Sequence, residues 1–357
     1  MLRWRIARHH LGDDKASDPV AVARRVNGVH AQVAACALAA TGLRTAAPTT
    51  AREIDGLLYD DRALVRTWAA RGTLHLLPAA DLPTWVAAMS TRTRETTGAW
   101  LRYHGVTARQ MADILRALPD VLGADPVTRD ELANAIIAAT RHEALRGPLT
   151  QGFGAVLKPA AFRGLLCSGP PQGRNVTFVA PRVWLPDAGW DVDTDVAVDR
   201  LARAYLGAYG PAGPDEFARW FDLKPPLARN AFARLASAGA TADVELGGAS
   251  GAVPADQIDM LAAKPPRTGP TVLLLPAFDP YVVASTRQLE SIGAAGHKAD
   301  VSRPQGWISG TLVVDGWIRG TWDDRDGRRQ VTPFAPLPSA VLRRLTASVS
   351  TPARSGD

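Results

Sequence analysis

Residues 63–78 read ALVRTWAARGTLHLLP, and this stretch decides the fold class. Successive side chains of a strand point to opposite faces. An alternating hairpin therefore sets Val65, Thr67 and Ala69 opposite Thr73, His75 and Leu77. Just upstream, TTAREIDGLLYDD (49–61) predicts a helix. Further back, Asp18 can cap a helix that has Pro19 at its first position, and Asn27-Gly28 supplies a stop after VAVARRV. A second helix is expected from about Val33 to Leu43. Helices that feed a short hairpin, instead of alternating singly with strands as in a parallel sheet, form the winged-helix pattern, with 63–78 as the wing.

The same grammar recurs downstream. A helical connector containing Trp85 and Trp100 leads to Thr128-Arg-Asp-Glu131, a capping box ahead of LANAIIAAT. QGFGAVLKPAAFRGLLCS (151–168) is expected to be one helix running into a second wing, GPPQGRNVTFVAP. A third unit begins near Asp195 with VAVDRLARAYLGAYG, continues through GPDEFARWF, and puts PPLARNAFARLAS in the recognition-helix position before the strand ATADVEL. Beyond it, TVLLLPAFDPYV reads as a buried strand and turn, and ISGTLVVDGWIRGTW as a hairpin turning at Asp315-Gly316. A tail containing Pro and Arg closes the chain. The expected fold is mainly α with small β wings, an α+β chain of three tandem winged-helix domains and a C-terminal β-hairpin region. The expected divisions are 1–104, 105–190, 191–265 and 266–357.

Composition bounds the function. A chain of 357 residues that is 46% apolar is long enough for two or three cores, and no apolar run approaches the roughly 20 residues that span a bilayer. The basic N-terminus MLRWRIARHH leads into no apolar signal region, so a cytoplasmic protein is expected. Cys36 and Cys167 are far apart and read as buried, reduced thiols. The seven histidines have no metal-ligand spacing, so neither a metal nor another cofactor is expected. Net charge is +6, with arginines grouped at Arg3, Arg5 and Arg8, at Arg92, Arg94, Arg102 and Arg109, and near the C-terminus. This balance suits a polyanionic partner without requiring one.

The candidate chemistry lies in NGVHAQVA (27–34). On a continuous helix His30 and Gln32 would diverge by about 200°. After an Asn-Gly stop, an extended 29–32 points both side chains to one side. Spacing alone leaves open a packed His beside a helix-capping Gln.

Four segments together resemble the AlkZ-like winged-helix DNA glycosylase family over nearly the whole chain. They are VHAQ (29–32), RTWAARGTLHLLPAADL (66–82), GPAGPDEFARWFDL (210–223), and LLPAFDP (274–280) with GTLVVDGWIRGTW (310–322). The resemblance implies three winged-helix units around a concave, DNA-binding channel. It also implies a catalytic motif, usually Gln-x-Gln or Gln-x-Asp, that falls here on His30 and Gln32. The first position departs from that pattern; the His-x-Gln version is associated with relatives from antibiotic-producing bacteria that protect their genome from their own bulky alkylating product.

The chemistry follows from the substrate. Alkylation at guanine N7 or adenine N3 makes the purine a cationic leaving group, so what remains is to place a water at C1′ and accept its proton. His30 ahead of a helix N-terminus suits a neutral base and Gln32 a water-orienting amide; the sequence leaves equally open that Gln32 polarises the water while His30 contacts the DNA backbone. No lysine adjoins the motif in sequence, which argues against a lyase step. Candidate DNA contacts are Arg71 and His75 in the first wing and Trp317 and Arg319 near the last hairpin's turn, where a wedge and a guanidinium suit a minor groove. His75 at an alternating position and Trp317 on a strand cluster are also open to plain packing, and Asp279 in AFDP reads as a turn carboxylate. The expected partner is double-stranded DNA containing an alkylated purine, bound by a monomer, with nucleoid association following from binding. The rival readings are a winged-helix transcriptional regulator without enzymatic activity and a protein that only sequesters the drug or its adduct.

Overall fold

In the computed structural model the alternation of 63–78 becomes a hairpin of Leu64–Trp68 and Leu74–Pro78 in the expected register, with Val65 opposite Leu77 and Thr67 opposite His75. Ala69 N donates to Thr73 O at 3.0 Å to close it. The structure describes residues 2–246, 249–262, 270–284, 289, 292–325 and 328–349. They fall into two compact units, each built from separated stretches: a terminal unit of Met1–Ile54, Tyr205–Ala212 and Ala240–Asp357, and a central unit of Asp55–Ala204 and Gly213–Gly239. The divisions expected at 104, 190 and 265 are therefore not the boundaries of compact units. Local helix-and-wing periodicity repeats along the sequence, whereas compactness is decided by which distant segments bury one another.

In the central unit the helices Ala108–Val121 and Arg129–Thr140 flank the short strand Val127–Thr128, which extends the hairpin Cys167–Gln172 and Asn175–Val179 in the order 127–128, 175–179, 167–172. The Thr128–Glu131 capping box forms as expected, with Thr128 Oγ1 accepting from Glu131 N and Glu131 Oε2 from Thr128 N. The helix expected over 151–168 is broken instead. A 3-10 turn, Gly152–Leu157, gives way to the short helix Lys158–Phe162 with Pro159 in its first turn. Gly164 at φ +66 then ends it, and Cys167 opens a strand. The helices Pro214–Phe221 and Pro225–Ser237 complete the unit. Arg92 ties them in, donating to Phe221 O at 2.8 Å and to Asp222 Oδ2 at 2.8 Å while pairing with Glu95.

In the terminal unit Asp18 caps Pro19–Arg25 by accepting from Ala21 N at 2.8 Å. Asn27 at φ +51 and Gly28 at φ +94 then turn the chain out of that helix, conformations that Asn and Gly tolerate. A four-stranded antiparallel sheet runs in the order Arg328–Pro333, Trp317–Arg325, Gly310–Val314, Val272–Leu275. Asp315 and Gly316, both at positive φ, make the expected tight turn. Gly316 is required twice over, because a Cβ there would sit 2.4 Å from Leu2 Cβ. The fourth strand and the terminal helix Ser339–Val349 occupy what reads in sequence as a tail.

Of the arginines on the N-terminal helix Leu2–Arg8, Arg3 is exposed and pairs with Asp315, whereas Arg5 and Arg8 are interior. Together with His9 they donate to the last turn of Thr194–Tyr209: Arg5 Nη2 to Tyr209 O at 3.2 Å, His9 Nε2 to Ala208 O at 3.0 Å, and Arg8 Nη2 to Leu206 O. Arg5 and His9 thereby satisfy carbonyls that a helix C-terminus leaves unpaired, while Leu206 O accepts from Gly210 N as well as from Arg8. Burial, reinforced by Arg44 and Arg5, holds the His9 imidazole well below the usual histidine range. Among the described residues no helix is long and apolar enough to cross a membrane, and no cluster of His, Cys, Asp or Glu could hold a metal ion. Both cysteines are free; Cys167 is buried and its thiol pushed up to about 12 by that burial, but Cys36 is only partly buried, contrary to expectation.

Candidate active site

Val29–His30 is a two-residue strand, and Gln32 follows in a bend that leads into the helix Ala34–Gly42. The Asn-Gly stop thus yields an extended Val29–His30, but the expected extension through Gln32 gives way to a bend. His30 is buried, at 6% exposure, while Gln32 is exposed. The His30 imidazole lies flat on the Phe278 ring, with centroids 4.8 Å apart and planes 8° from parallel. Such a stack fixes the ring plane, so the two nitrogens at its edge keep a set direction.

Phe278 is itself held. It sits at φ +59, a left-handed conformation that a bulky residue adopts only under constraint. Its N donates to Ile308 O at 3.3 Å. The next residue, Asp279, is fully buried and accepts from Arg44 Nη1 and Nη2 at 2.8 and 2.7 Å, a bidentate pair with no exposure on either side. Asp279 Oδ1 also accepts from Tyr281 N at 2.9 Å, capping Pro280–Val283. Asp279 is therefore a turn carboxylate, as read, but one anchored by a partner 235 residues away. Arg44 lies two residues beyond the C-terminal end of Ala34–Gly42, the helix that the motif leads into. The catalytic candidates and the strut behind Phe278 thus flank the same helix. Arg44 carries no sequence signal; Phe278 and Asp279 lie in LLPAFDP, a segment of the family resemblance that assigns them no role, and the Asp-Pro step marks only a helix cap.

The remaining candidates separate. Arg71 stands exposed at φ +58 in the turn of the first hairpin, its guanidinium 5.7 Å from the Trp220 ring. His75 is 2% exposed, with Nδ1 donating to Thr73 O at 2.9 Å, and so serves the hairpin's packing, not its surface. Trp317 is 40% exposed, and Arg319, two residues on and on the same face of the strand, brings its guanidinium to 5.6 Å from the indole.

Burial lowers His75 to about 4, the Thr73 carbonyl opposing and Arg71 adding to the effect. The unfolded chain takes up this proton near pH 6.5 and the folded chain only near 4. The neutral ring's contribution is therefore complete above pH 6.5 and lost as pH falls toward 4, amounting to about 3 kcal/mol. Urea unfolding followed from pH 7 to pH 4 is expected to show wild type losing about that much more stability than His75→Asn, which keeps the donor to Thr73 O and does not titrate. Parallel curves for the two proteins would exclude His75 as the cause.

Comparison with known proteins decides the family. The family described as DNA glycosylase AlkZ-like matches residues 23–354 of this chain. This chain belongs to the AlkZ-like DNA glycosylases. A Streptomyces sahachiroi protein named "Interstrand DNA cross-link repair glycosylase" is 36% identical over 355 residues, covering 97% of this chain and 94% of that protein. The solved structure of the Streptomyces sahachiroi DNA glycosylase AlkZ superposes with a TM-score of 0.88 at 34% identity, covering 98% of this chain and 94% of that one. The AlkZ-like architecture, mixed helix and strand, therefore runs through essentially the whole chain.

Proposed function

We propose that this AlkZ-like protein is a monofunctional DNA glycosylase that hydrolyses the N-glycosidic bond of alkylated purines in DNA. Its substrates would be N7-alkylguanines carrying bulky antibiotic adducts or cross-links, and its place base excision repair and self-resistance. The observation that carries this reading is VHAQ at a strand-to-helix entry, with His30 stacked on a braced Phe278 and Gln32 exposed two residues on. The cross-link repair named for the Streptomyces relative supports a bulky substrate.

In the reaction, the C1′–N9 bond breaks with its electron pair going to the purine, which neutralises the cation created by alkylation. Water oxygen bonds to C1′, and His30 accepts the water proton while the Gln32 amide oxygen orients the attacking water. The products are free alkylated base and an abasic site, with no covalent enzyme intermediate and no lyase step. Neither metal nor cofactor enters this scheme. The test is release of free base from DNA carrying N7-methylguanine or a bulky N7-guanine adduct. Failure to release either would sink the reading, and a footprint at one undamaged sequence would favour a regulator.

Three helix-plus-wing modules are the reading of the architecture that fits the element order. Its clearest instance is the central-unit run of helix, short strand, helix and hairpin over 108–179. The protein would act as a cytoplasmic, nucleoid-associated monomer on double-stranded DNA. Arg71, Trp317 and Arg319 are the surface candidates for DNA contact. A Trp317→Ala plus Arg319→Ala double variant is expected to weaken binding to lesion DNA about tenfold and to flatten the salt dependence by about one charge. Equal affinity and equal excision in filter-binding and release assays would remove this pair from the interface.

A further inference from the structure

His30 is the innermost ring of a run of three. Phe278 covers its face, and the Trp307 indole meets Phe278 edge-on, with centroids 4.9 Å apart and planes at 74°. Exposure rises along the run, from 6% at His30 and 9% at Phe278 to 45% at Trp307. A single exposed indole needs no explanation. This one is continuous with a buried imidazole in the candidate catalytic motif.

The backbone presents Trp307 deliberately. Its carbonyl accepts from Arg303 N at 2.8 Å, and an antiparallel bridge between Ser302 and Ile308 closes the loop on both sides of it. Ile308, the next residue, is buried and is also the acceptor for Phe278 N. Trp307 and Phe278 are therefore fixed relative to each other through adjoining main chain, and the indole is a platform on a pinned loop.

We propose that Trp307 is the specificity-determining residue for bulky lesions, its indole stacking on a planar aromatic group carried by N7 of the departing guanine. The assignment rests on the glycosylase reading of His30 and Gln32. Phe278 stands between imidazole and indole, with its centroid 4.8 Å from that of His30 and 4.9 Å from that of Trp307. With C1′ held at the His30 edge, the first atom attached to N7 lies roughly one ring spacing from C1′. What reaches the indole is then the substituent, not the purine. A methyl group ends short of it, whereas a polycyclic group extends over it and covers apolar surface that is otherwise wet.

The experiment measures kcat/KM for two DNA substrates, one with N7-methylguanine and one with an N7-guanine adduct bearing an anthracene ring. The ratio of bulky to methyl is expected to fall about tenfold in Trp307→Ala, the size of a modest base-on-aromatic stack, and to recover most of that loss in Trp307→Phe. An unchanged ratio in Trp307→Ala, whether both rates fall together or neither moves, overturns the assignment. Wild-type protein that releases neither base overturns the glycosylase reading itself, and the role of the indole with it.

Discussion

Gln32→Ala and His30→Ala are each expected to cut single-turnover base release by about a hundredfold to ten-thousandfold, the range that a positioned proton-transfer group supplies. DNA binding should survive in both, because the proposed chemistry engages one water and one sugar atom whereas affinity for DNA comes from many phosphate contacts. The two residues should nevertheless fail differently. Gln32 is exposed, so its truncation should leave the unfolding midpoint within experimental error. His30 is buried against Phe278, so its truncation also removes half of a ring stack and should lower stability by about 1 kcal/mol or more. His30→Gln separates the roles. If position 30 needs only an amide to orient water, this variant retains most of the activity; if it needs an imidazole to take a proton, release falls nearly as far as in His30→Ala. Base release within threefold of wild type in both alanine variants would exclude the pair from catalysis.

Local grammar was legible in the sequence wherever the cause was local. The Val65 to Leu77 register follows from a period of two, the Asp18 and Thr128 caps from one hydroxyl or carboxylate reaching a nearby N–H, and the Asp315-Gly316 turn from two positive φ values. The same locality gave the extended entry at His30. What failed had distant causes. Arg5 and Arg8 read as part of a basic group that suits a polyanionic partner, yet they close a helix end about 200 residues away, and nothing in MLRWRIARHH announces that partner. The helix expected over 151–168 has good apolar spacing, but Pro159 and Gly164 divide it. The last strand, Arg328–Pro333, was hidden because its side chains, RRQVTP, are mostly exposed and polar and so give no apolar alternation to read. Within the candidate site, His30 and Gln32 were named through the family resemblance of VHAQ, since spacing alone left a packed His open. Phe278, Trp307 and Arg44 were not, because each is defined only by what it touches.

Asp279→Ala is expected to destabilise the protein by about 3–5 kcal/mol, because it strands the Arg44 guanidinium in an interior where neither partner has any exposure. Arg44→Met should cost a similar amount by stranding the carboxylate. The large single losses measure an uncompensated charge, not the net value of the pair, since two ions taken out of water regain in mutual attraction little more than they lost in hydration. The double variant Arg44→Met plus Asp279→Leu should therefore lie closer to wild type than either single variant, which denaturant midpoints arranged as a double-mutant cycle will resolve. Single losses below 1 kcal/mol, or strictly additive ones, would show that the pair is not the strut described. Even a restored double variant should remain slow in base release. The carboxylate that accepts from both Arg44 and Tyr281 N fixes the residue next to Phe278, and leucine cannot reproduce those hydrogen bonds. Phe278 would relax from φ +59, and the ring plane of His30 would relax with it. A pair close to dispensable for stability and still needed for excision is what conserving geometry at the site, instead of folding energy, demands.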